Sequence, residues 1–173
     1  KLNIQIKMNK KLKNLFKVCT NQAISENLKD IDEKQVENYR TFMLRVLSLF
    51  AEWAYQKKLF IKAKNVYTEL KFSYFKDQME FDGDCFPTWM NGTADLIVEQ
   101  QDGSFIVLDY KSDYAPYLTA EKYESSLKEK YEGQLWEYRY AVSRLFNVEE
   151  KNVNLGLVSF EGEEKLTLRC TVI

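Results

Sequence analysis

The chain has 173 residues, of which 45% are hydrophobic and 14% aromatic, and a formal charge of −1 at pH 7. This length and apolar content suit one domain with a substantial core and exclude an intrinsically disordered chain. The near-neutral charge excludes a basic field over the whole molecule, so any contact with nucleic acid must depend on local patches.

The residue types that are absent limit the chemistry further. The sequence contains no histidine, which removes Ser-His-Asp and Cys-His catalysis and every His-containing zinc site. Cys19, Cys85 and Cys170 are far apart and form no C-x-x-C pair, which argues against a zinc or iron–sulfur cluster and against a disulfide framework. The chain also has no P-loop motif. Any chemistry must therefore use carboxylates, lysine, tyrosine or a metal ion.

Nothing in the sequence predicts a membrane protein. The most apolar run, residues 42–55, is interrupted by Arg45 and Glu52, and no signal-peptide pattern opens the chain. We therefore expect a cytoplasmic protein with free thiols. Because the first residue is lysine, we also expect the chain to be a segment of a longer protein.

The predicted elements begin with a helical part, residues 1–62. Its first 17 residues hold six lysines and no acid, and we interpret them as a solvated helix face or a frayed terminus rather than as a phosphate-contacting segment. From about residue 33 to 62 an apolar face recurs at spacings of four and three, which predicts a core helix with a break near Tyr55. That face consists of Phe42, Val46, Phe50 and Trp53.

The catalytic core is predicted over residues 63–173. Alternation in VYTELKF, residues 66–72, predicts a strand, and GDCFPTWMNG, residues 83–92, supplies turn residues and predicts a loop or a sheet edge. Two further strands flank Asp102-Gly103, a strong hairpin signal. Together these patterns predict three consecutive strands.

A helix and a second hairpin complete the core. Residues 119–147 predict a helix in two pieces, and the residues NLGLVSF and KLTLRCTVI alternate around EGEE. The order of helix, three strands, helix and two strands predicts one α/β domain with a mixed central sheet flanked by helices. The apolar stripe of the second helix consists of Leu135, Tyr138, Val142 and Leu145.

The hairpin around Asp102 allows two registers. Residues two apart on a strand share a face, so Asp109 and Lys111 are neighbours. A three-residue turn, 101–103, places Asp95 directly opposite Asp109. A two-residue turn places Asp95 opposite Tyr110 and the two aspartates on opposite faces of the sheet. The register therefore decides whether the aspartates can act together.

In the first register, Asp95 and Asp109 lie about 5 Å apart and repel each other by on the order of 3 kcal/mol at an effective dielectric near 20. A divalent cation would offset this repulsion, because Mg²⁺ binds one or two carboxylates and keeps waters as its other ligands. Lys111 could hold or deprotonate the water that attacks a phosphodiester. Glu69, on the preceding strand, could complete an acidic cluster. An isolated Asp-x-Lys, in contrast, is an ordinary surface pair.

Several short motifs together are more specific than this pair. The chain carries E-x-K-F at 69–72, G-T-A-D at 92–95, an apolar strand ending in DYKSD at 106–113, and Q-L-W-E-Y at 134–138. In order and spacing they resemble the PD-(D/E)XK nuclease superfamily, within it the RecB-like nuclease domain, and most of all the C-terminal nuclease domain of AddA-type helicase–nucleases. The resemblance runs from about residue 55 to the end.

The resemblance implies a restriction-endonuclease-like fold and a DNA nuclease that depends on Mg²⁺ or Mn²⁺, with exonuclease activity in DNA repair and recombination. The partners it implies are DNA and helicase domains of the same protein or of a partner subunit. The implied catalytic residues are Asp95, Asp109, Lys111 and Glu69. The implied metal ligands are Asp95, Asp109 and the backbone carbonyl of Tyr110. Gln134 and Tyr138 match the family's Q-x-x-x-Y, which lines the DNA side of the site.

The chain departs from its relatives in three ways. Many carry a histidine before the first acid, so its absence leaves open whether one or two metals bind. The motor domains of an AddA-type protein are missing from this chain. The three cysteines do not match the four of cluster-bearing relatives, so no iron–sulfur cluster is expected.

Two alternatives remain. One is an inactive nuclease-fold module that binds nucleic acid or a protein. The other is a restriction-type endonuclease, for which 173 residues leave little space for a recognition region. The presence of Asp95, Asp109 and Lys111 favours an active nuclease over the inactive module.

Overall fold

The structure, a computed structural model, describes residues 10–27, 32–81, 84–113, 119–161 and 167–172. Residues 1–9, the first part of the lysine-rich segment, and residues 162–164 of the EGEE turn lie outside this described part. The elements in chain order are α1 (Lys10–Asn27), α2 (Glu33–Gln56), β1 (Ala63–Phe81), β2 (Asp84–Gln100), β3 (Phe105–Lys111), α3 (Ala120–Phe146), a 3-10 turn (Glu150–Asn152), β4 (Val153–Glu161) and β5 (Thr167–Val172).

The strands form one mixed sheet in the order β1-β2-β3-β4-β5. Neighbours are antiparallel except for β3 and β4, which are parallel. Parallel neighbours need a long crossover, and α3 provides it. The predicted α/β domain with a mixed sheet and flanking helices is confirmed, and so is the hairpin of the last two strands.

Each face of the sheet carries its own hydrophobic cluster, because successive strand residues project to opposite faces. The cluster under α3 includes Phe105, Val107, Leu135, Val142, Leu155 and Leu157. The cluster on the α2 side includes Ala54, Leu59, Leu96, Val98, Leu108 and Val158. Phe105 and residues 107–109 of β3 are buried between these two layers, and Ile106 is partly buried. A charged group at a buried position of β3 therefore interacts strongly with its neighbours.

The helices differ from the sequence prediction in two respects. Residues 120–146 form one continuous helix rather than two pieces; it starts after Thr119, whose side chain accepts from the Lys122 N–H, and ends at Asn147 in the left-handed region. Its predicted stripe is buried except for Leu145, which is exposed. On α2, Phe42 is also exposed, while Phe50 and Trp53 pack against the sheet. The prediction that the apolar face of α2 lies in the core is therefore correct only for the C-terminal half of the helix.

The prediction of a loop at 83–92 is wrong from residue 84 onward, where β2 begins. This segment pairs with β1, and the rings of Phe75 and Trp89 meet across the two strands. The alternative prediction, that this segment lies at an edge of the sheet, agrees with the structure. This part of β2 has β1 on one side and no described strand on the other, a position that tolerates a proline.

Candidate active site

The turn between β2 and β3 fixes the register of the two aspartates. The Gln100 N–H donates to the Ser104 carbonyl at 2.8 Å and closes a three-residue loop, 101–103. Continuing the observed β2–β3 pairs by one step places Asp95 opposite Asp109. The three-residue register, the one that allows the aspartates to act together, is therefore the register of the structure.

The β1–β2 ladder is irregular where Glu69 and Asp95 face each other. Glu69 has φ +51°, in the left-handed region, which costs a non-glycine residue roughly 1–3 kcal/mol. Tyr67 and Leu70 are three residues apart, yet both pack into the α3-side cluster. The alternation of side chains between the two faces of the sheet is therefore interrupted at Glu69. The predicted simple alternation of residues 66–72 is wrong at this residue. Such strain is concentrated at functional sites.

Asp95 is held against the end of β3. Its Oδ2 accepts the Tyr110 backbone N–H at 2.7 Å. This hydrogen bond places the carboxylate beside the peptide that joins Asp109 to Tyr110. The Asp95 carboxylate is close enough to Asp109 that its charge adds to the raised pKa of the Asp109 carboxyl. The Tyr110 carbonyl stays a predicted ligand.

Asp109 and Lys111 form a shielded ion pair on the α3 side of β3. Lys111 Nζ lies 2.6 Å from Asp109 Oδ2, and the two side chains are 14% and 3% exposed. The same Oδ2 accepts no hydrogen bond from any other described residue. Asp109 therefore keeps a buried acceptor that only a cation contacts.

Gln134 and Tyr138 close a ring of contacts around this pair. Lys111 Nζ donates to Gln134 Oε1 at 2.9 Å, and Gln134 Nε2 donates to the Tyr138 hydroxyl at 2.7 Å. That hydroxyl lies 3.2 Å from Asp109 Oδ1 and 2.9 Å from the Thr93 carbonyl, so its single proton is shared between two acceptors. The two residues are four apart on α3 and face the same way.

These contacts bear on the expected roles of Gln134 and Tyr138. Tyr138 is only 5% exposed, and its hydroxyl is committed to protein groups. In this position it orients Asp109. Gln134 is exposed and touches Lys111 directly. Their assignment as DNA contacts stays a prediction.

Sequence reasoning missed two residues at this site. The Tyr131 ring lies under Lys111 Nζ, 4.0 Å from its centroid, and its hydroxyl donates to Asp113 Oδ2 at 2.7 Å. The Asp113 carbonyl accepts from the Tyr123 hydroxyl at 2.7 Å, which ties the end of β3 to α3. The signals were present: Asp113 closes the DYKSD motif, and Tyr131 lies three residues before Gln134 on one helix face.

The electrostatics show why a cation would be stabilising here. Burial raises the pKa of the Asp109 carboxyl above its ordinary value; the Lys111 ammonium opposes this shift, and the Asp95 charge adds to it. Burial likewise raises the pKa of the Tyr138 phenol, with further contributions from Asp109 and Asp95. Burial also raises the pKa of Tyr110 to about 12, and the charges of Asp95 and Glu69 add to this shift. Negative charge is thus concentrated in a poorly hydrated place.

The donor set fits Mg²⁺ or Mn²⁺ chemically. Asp95, Asp109 and the Tyr110 carbonyl offer only oxygen, and Mg²⁺ binds with one or two carboxylates plus waters. The observation that supports this fit is the buried Asp109 Oδ2, whose partner among the described residues is a cation, the Lys111 ammonium. Within the described ranges, no three His, Cys, Asp or Glu residues form a group that could hold a metal. Glu69 therefore does not complete the three-acid cluster that we considered, and its catalytic role stays a prediction.

Comparison with known proteins places the chain in a family. A model of the PD-(D/E)XK nuclease superfamily matches residues 6–168. The chain therefore belongs to the PD-(D/E)XK nuclease superfamily. No curated protein is a significant match. A solved structure described as "Crystal structure of SSO0001" is 14% identical, with 92% of this chain and 78% of that chain covered and a TM-score of 0.36. No described helix is long and apolar enough to cross a membrane.

Proposed function

We propose that this domain hydrolyses DNA phosphodiester bonds in a reaction that requires Mg²⁺ or Mn²⁺. The observation that carries the proposal is the contact between Lys111 and the buried Asp109, next to Asp95, which accepts from the Tyr110 N–H. Membership of the nuclease superfamily supports the reaction class.

We assign the following roles to the protein groups. Asp95, Asp109 and the Tyr110 carbonyl would hold the cation, which when bound supplies positive charge at the reacting phosphate. Lys111 can donate a hydrogen bond to the attacking water or to a phosphate oxygen. Gln134 and Tyr131 hold the lysine from two sides. Tyr138 orients the Asp109 carboxylate.

The first test compares cations in single-turnover cleavage of a labelled oligonucleotide. Mg²⁺ and Mn²⁺ should support cleavage. Ca²⁺ should bind without supporting it, because its bonds are longer and its geometry is looser. Equal cleavage by the wild type in EDTA would contradict the proposal.

The second test separates ligands from the lysine. Asp109→Ala should abolish both cleavage and metal binding by calorimetry, whereas Lys111→Ala should keep metal binding and lose most of the cleavage. Asp102→Ala and Lys64→Ala are matched controls, since these exposed residues lie at the hairpin turn and in an ion pair with Glu99. Cleavage by Lys111→Ala at the wild-type rate would show that the mechanism is wrong.

The motif resemblance supports a narrower proposal: an exonuclease that acts in DNA repair and recombination as the nuclease domain of an AddA-type helicase–nuclease. This part rests on sequence motifs alone. An exonuclease degrades linear DNA and leaves a covalently closed single-stranded circle intact. Cleavage of the circle at the same rate would contradict exonuclease activity while leaving the nuclease proposal in place.

The alternative is a module that has the fold and binds nucleic acid or a protein without catalysis. The intact ion pair of Lys111 with Asp109 argues against it. Absence of cleavage with Mg²⁺ and with Mn²⁺ would favour it.

A further inference from the structure

The long β1–β2 hairpin continues well beyond the rest of the sheet. β2 pairs with β3 only over residues 96–99, whereas it stays paired with β1 as far as residue 84. The residues beyond the Glu69–Asp95 irregularity therefore form a two-stranded arm that starts at the candidate active site.

One face of this arm is fixed to α3. The Phe72 ring packs edge-on against the Tyr138 ring, with centroids 5.8 Å apart. Farther along, Tyr74 donates to Glu137, and Lys76 pairs with the same carboxylate at 2.6 Å. The arm is thus held in place through its even-numbered β1 residues.

The opposite face points away from α3, because side chains alternate along a strand. We call it the outer arm face; it consists of Lys71, Ser73, Phe75, Trp89 and Asn91, which are all exposed. The two aromatic residues are opposite each other on the two strands. Trp89 is 61% exposed and Phe75 is 50% exposed. The two rings contact each other and form one exposed aromatic patch; contiguous exposed apolar surface, unlike single exposed residues, marks an interaction site.

The Trp89 indole is held in a defined orientation. Its Nε1–H donates to Asn91 Oδ1 at 3.1 Å, and the Ser73 hydroxyl donates to the same oxygen at 2.6 Å. The indole thus satisfies its only polar atom within the protein. An exposed ring that is already oriented loses less entropy on binding a partner.

We propose that the outer arm face binds single-stranded DNA by stacking unpaired bases on Trp89 and Phe75. Aromatic platforms beside cationic and hydrogen-bonding groups suit single strands, because every base has a π-face and the backbone carries charge. Lys71 supplies the cation at the end of the arm nearest the active site. A duplex keeps its base faces inside its own stack and cannot use the platform.

The position of the arm gives it a function in guiding the substrate. Trp89 lies six residues from Asp95 along β2, roughly 20 Å in an extended strand. A strand stacked on the platform could run along the arm to the aspartates. This inference deepens the proposed function and rests on it for the substrate class.

The test is binding of the full chain to a labelled oligothymidylate of about 20 nucleotides, measured by fluorescence anisotropy in EDTA. Trp89→Ala should weaken this binding at least about tenfold, the value expected for one lost base stack, and should leave binding to a blunt duplex unchanged. Trp89→Phe should retain most of the affinity, since it keeps a ring. Trp136→Ala is the matched control, because Trp136 is 48% exposed on α3 and takes no part in the arm.

Three results would overturn the inference: equal affinity of Trp89→Ala and the wild type for the single strand, equal weakening for single strand and duplex, or an equal loss in Trp136→Ala. The cleavage assay is independent of this measurement. A chain that binds through Trp89 but never cleaves would disprove the proposed function alone. A chain that cleaves but binds without Trp89 would disprove the arm inference alone.

Discussion

At the scale of single residues, the buried carboxylate of Asp109 is unfavourable for the stability of the folded protein. Burial raises the pKa of Asp109 in the folded protein, so without metal its ionised form destabilises the fold. This contribution is absent below the unfolded pKa, near 4, and grows as pH rises through the folded pKa. Asp109→Asn also removes the ion-pair partner of Lys111, which lowers stability at every pH. We therefore expect the unfolding temperature of Asp109→Asn relative to the wild type in EDTA to increase with pH and then level off. Thermal unfolding across pH measures this, and a difference that stays constant or shrinks would contradict it.

Tyr131 allows a second prediction at the residue scale. A ring 4.0 Å from a lysine ammonium contributes roughly 0.5–2 kcal/mol. Tyr131→Leu should therefore lower the single-turnover cleavage rate several-fold without changing metal affinity, because the ring restrains Lys111 and touches no proposed ligand. Tyr131→Phe keeps the ring, loses only the bond to Asp113, and should cleave faster than Tyr131→Leu. Equal rates for the two variants would assign the effect to the hydroxyl.

At the scale of elements, Gly92 on β2 leaves room for the Phe72 ring of β1, which lies between this part of the arm and α3. A Cβ atom at this position would lie 2.3 Å from Phe72 Cζ, and that ring is already packed against Tyr138. Gly92→Ala should therefore destabilise the fold by about 1–3 kcal/mol and displace Tyr138. Denaturant unfolding measures the change.

The control is Gly133→Ala on α3, which meets open space and should stabilise the protein by about 0.5–1 kcal/mol through helix propensity. Adding Phe72→Leu to Gly92→Ala should restore part of the loss. If Gly92→Ala is as stable as the wild type, the close contact between residue 92 and the Phe72 ring does not constrain the packing of the arm.

The elements also show which features the sequence could predict. The β2–β3 hairpin and the parallel crossover follow from Asp102-Gly103 and from the helix between two strands, because both signals are local. The left-handed backbone at Glu69 has no local signal and depends on how β1 meets β2. The length of the arm was missed because Pro87 and the surrounding turn residues outweigh a pairing that is stabilised across strands by Phe75 and Trp89.

The arrangement of the candidate site was predictable only in part. Asp109 and Lys111 share a face through simple alternation, but the turn length, which sets their distance from Asp95, was left open between two registers by the sequence. The contacts of Tyr131 and Asp113 were not predictable, since they depend on where α3 crosses β3. The motifs thus indicated the candidate carboxylates and the lysine, whereas the residues that contact them are set by tertiary packing.

At the scale of the whole molecule, the charge balance sets the expected behaviour with DNA. Lysines and arginines number 25 against 26 acids, so few phosphates can be neutralised and duplex binding should be weak. Affinity that comes from phosphate contacts falls with salt by a slope of about −0.9 per contact for duplexes. The slope per contact is smaller for single strands, about −0.7, so for equal numbers of phosphate contacts the preference for single strands over duplexes should increase as salt is raised. Base stacking releases no counterions, so Trp89→Ala should lower single-strand affinity by the same factor at every salt concentration. Anisotropy titrations over a salt series test the prediction, and tight duplex binding that is insensitive to salt would contradict it.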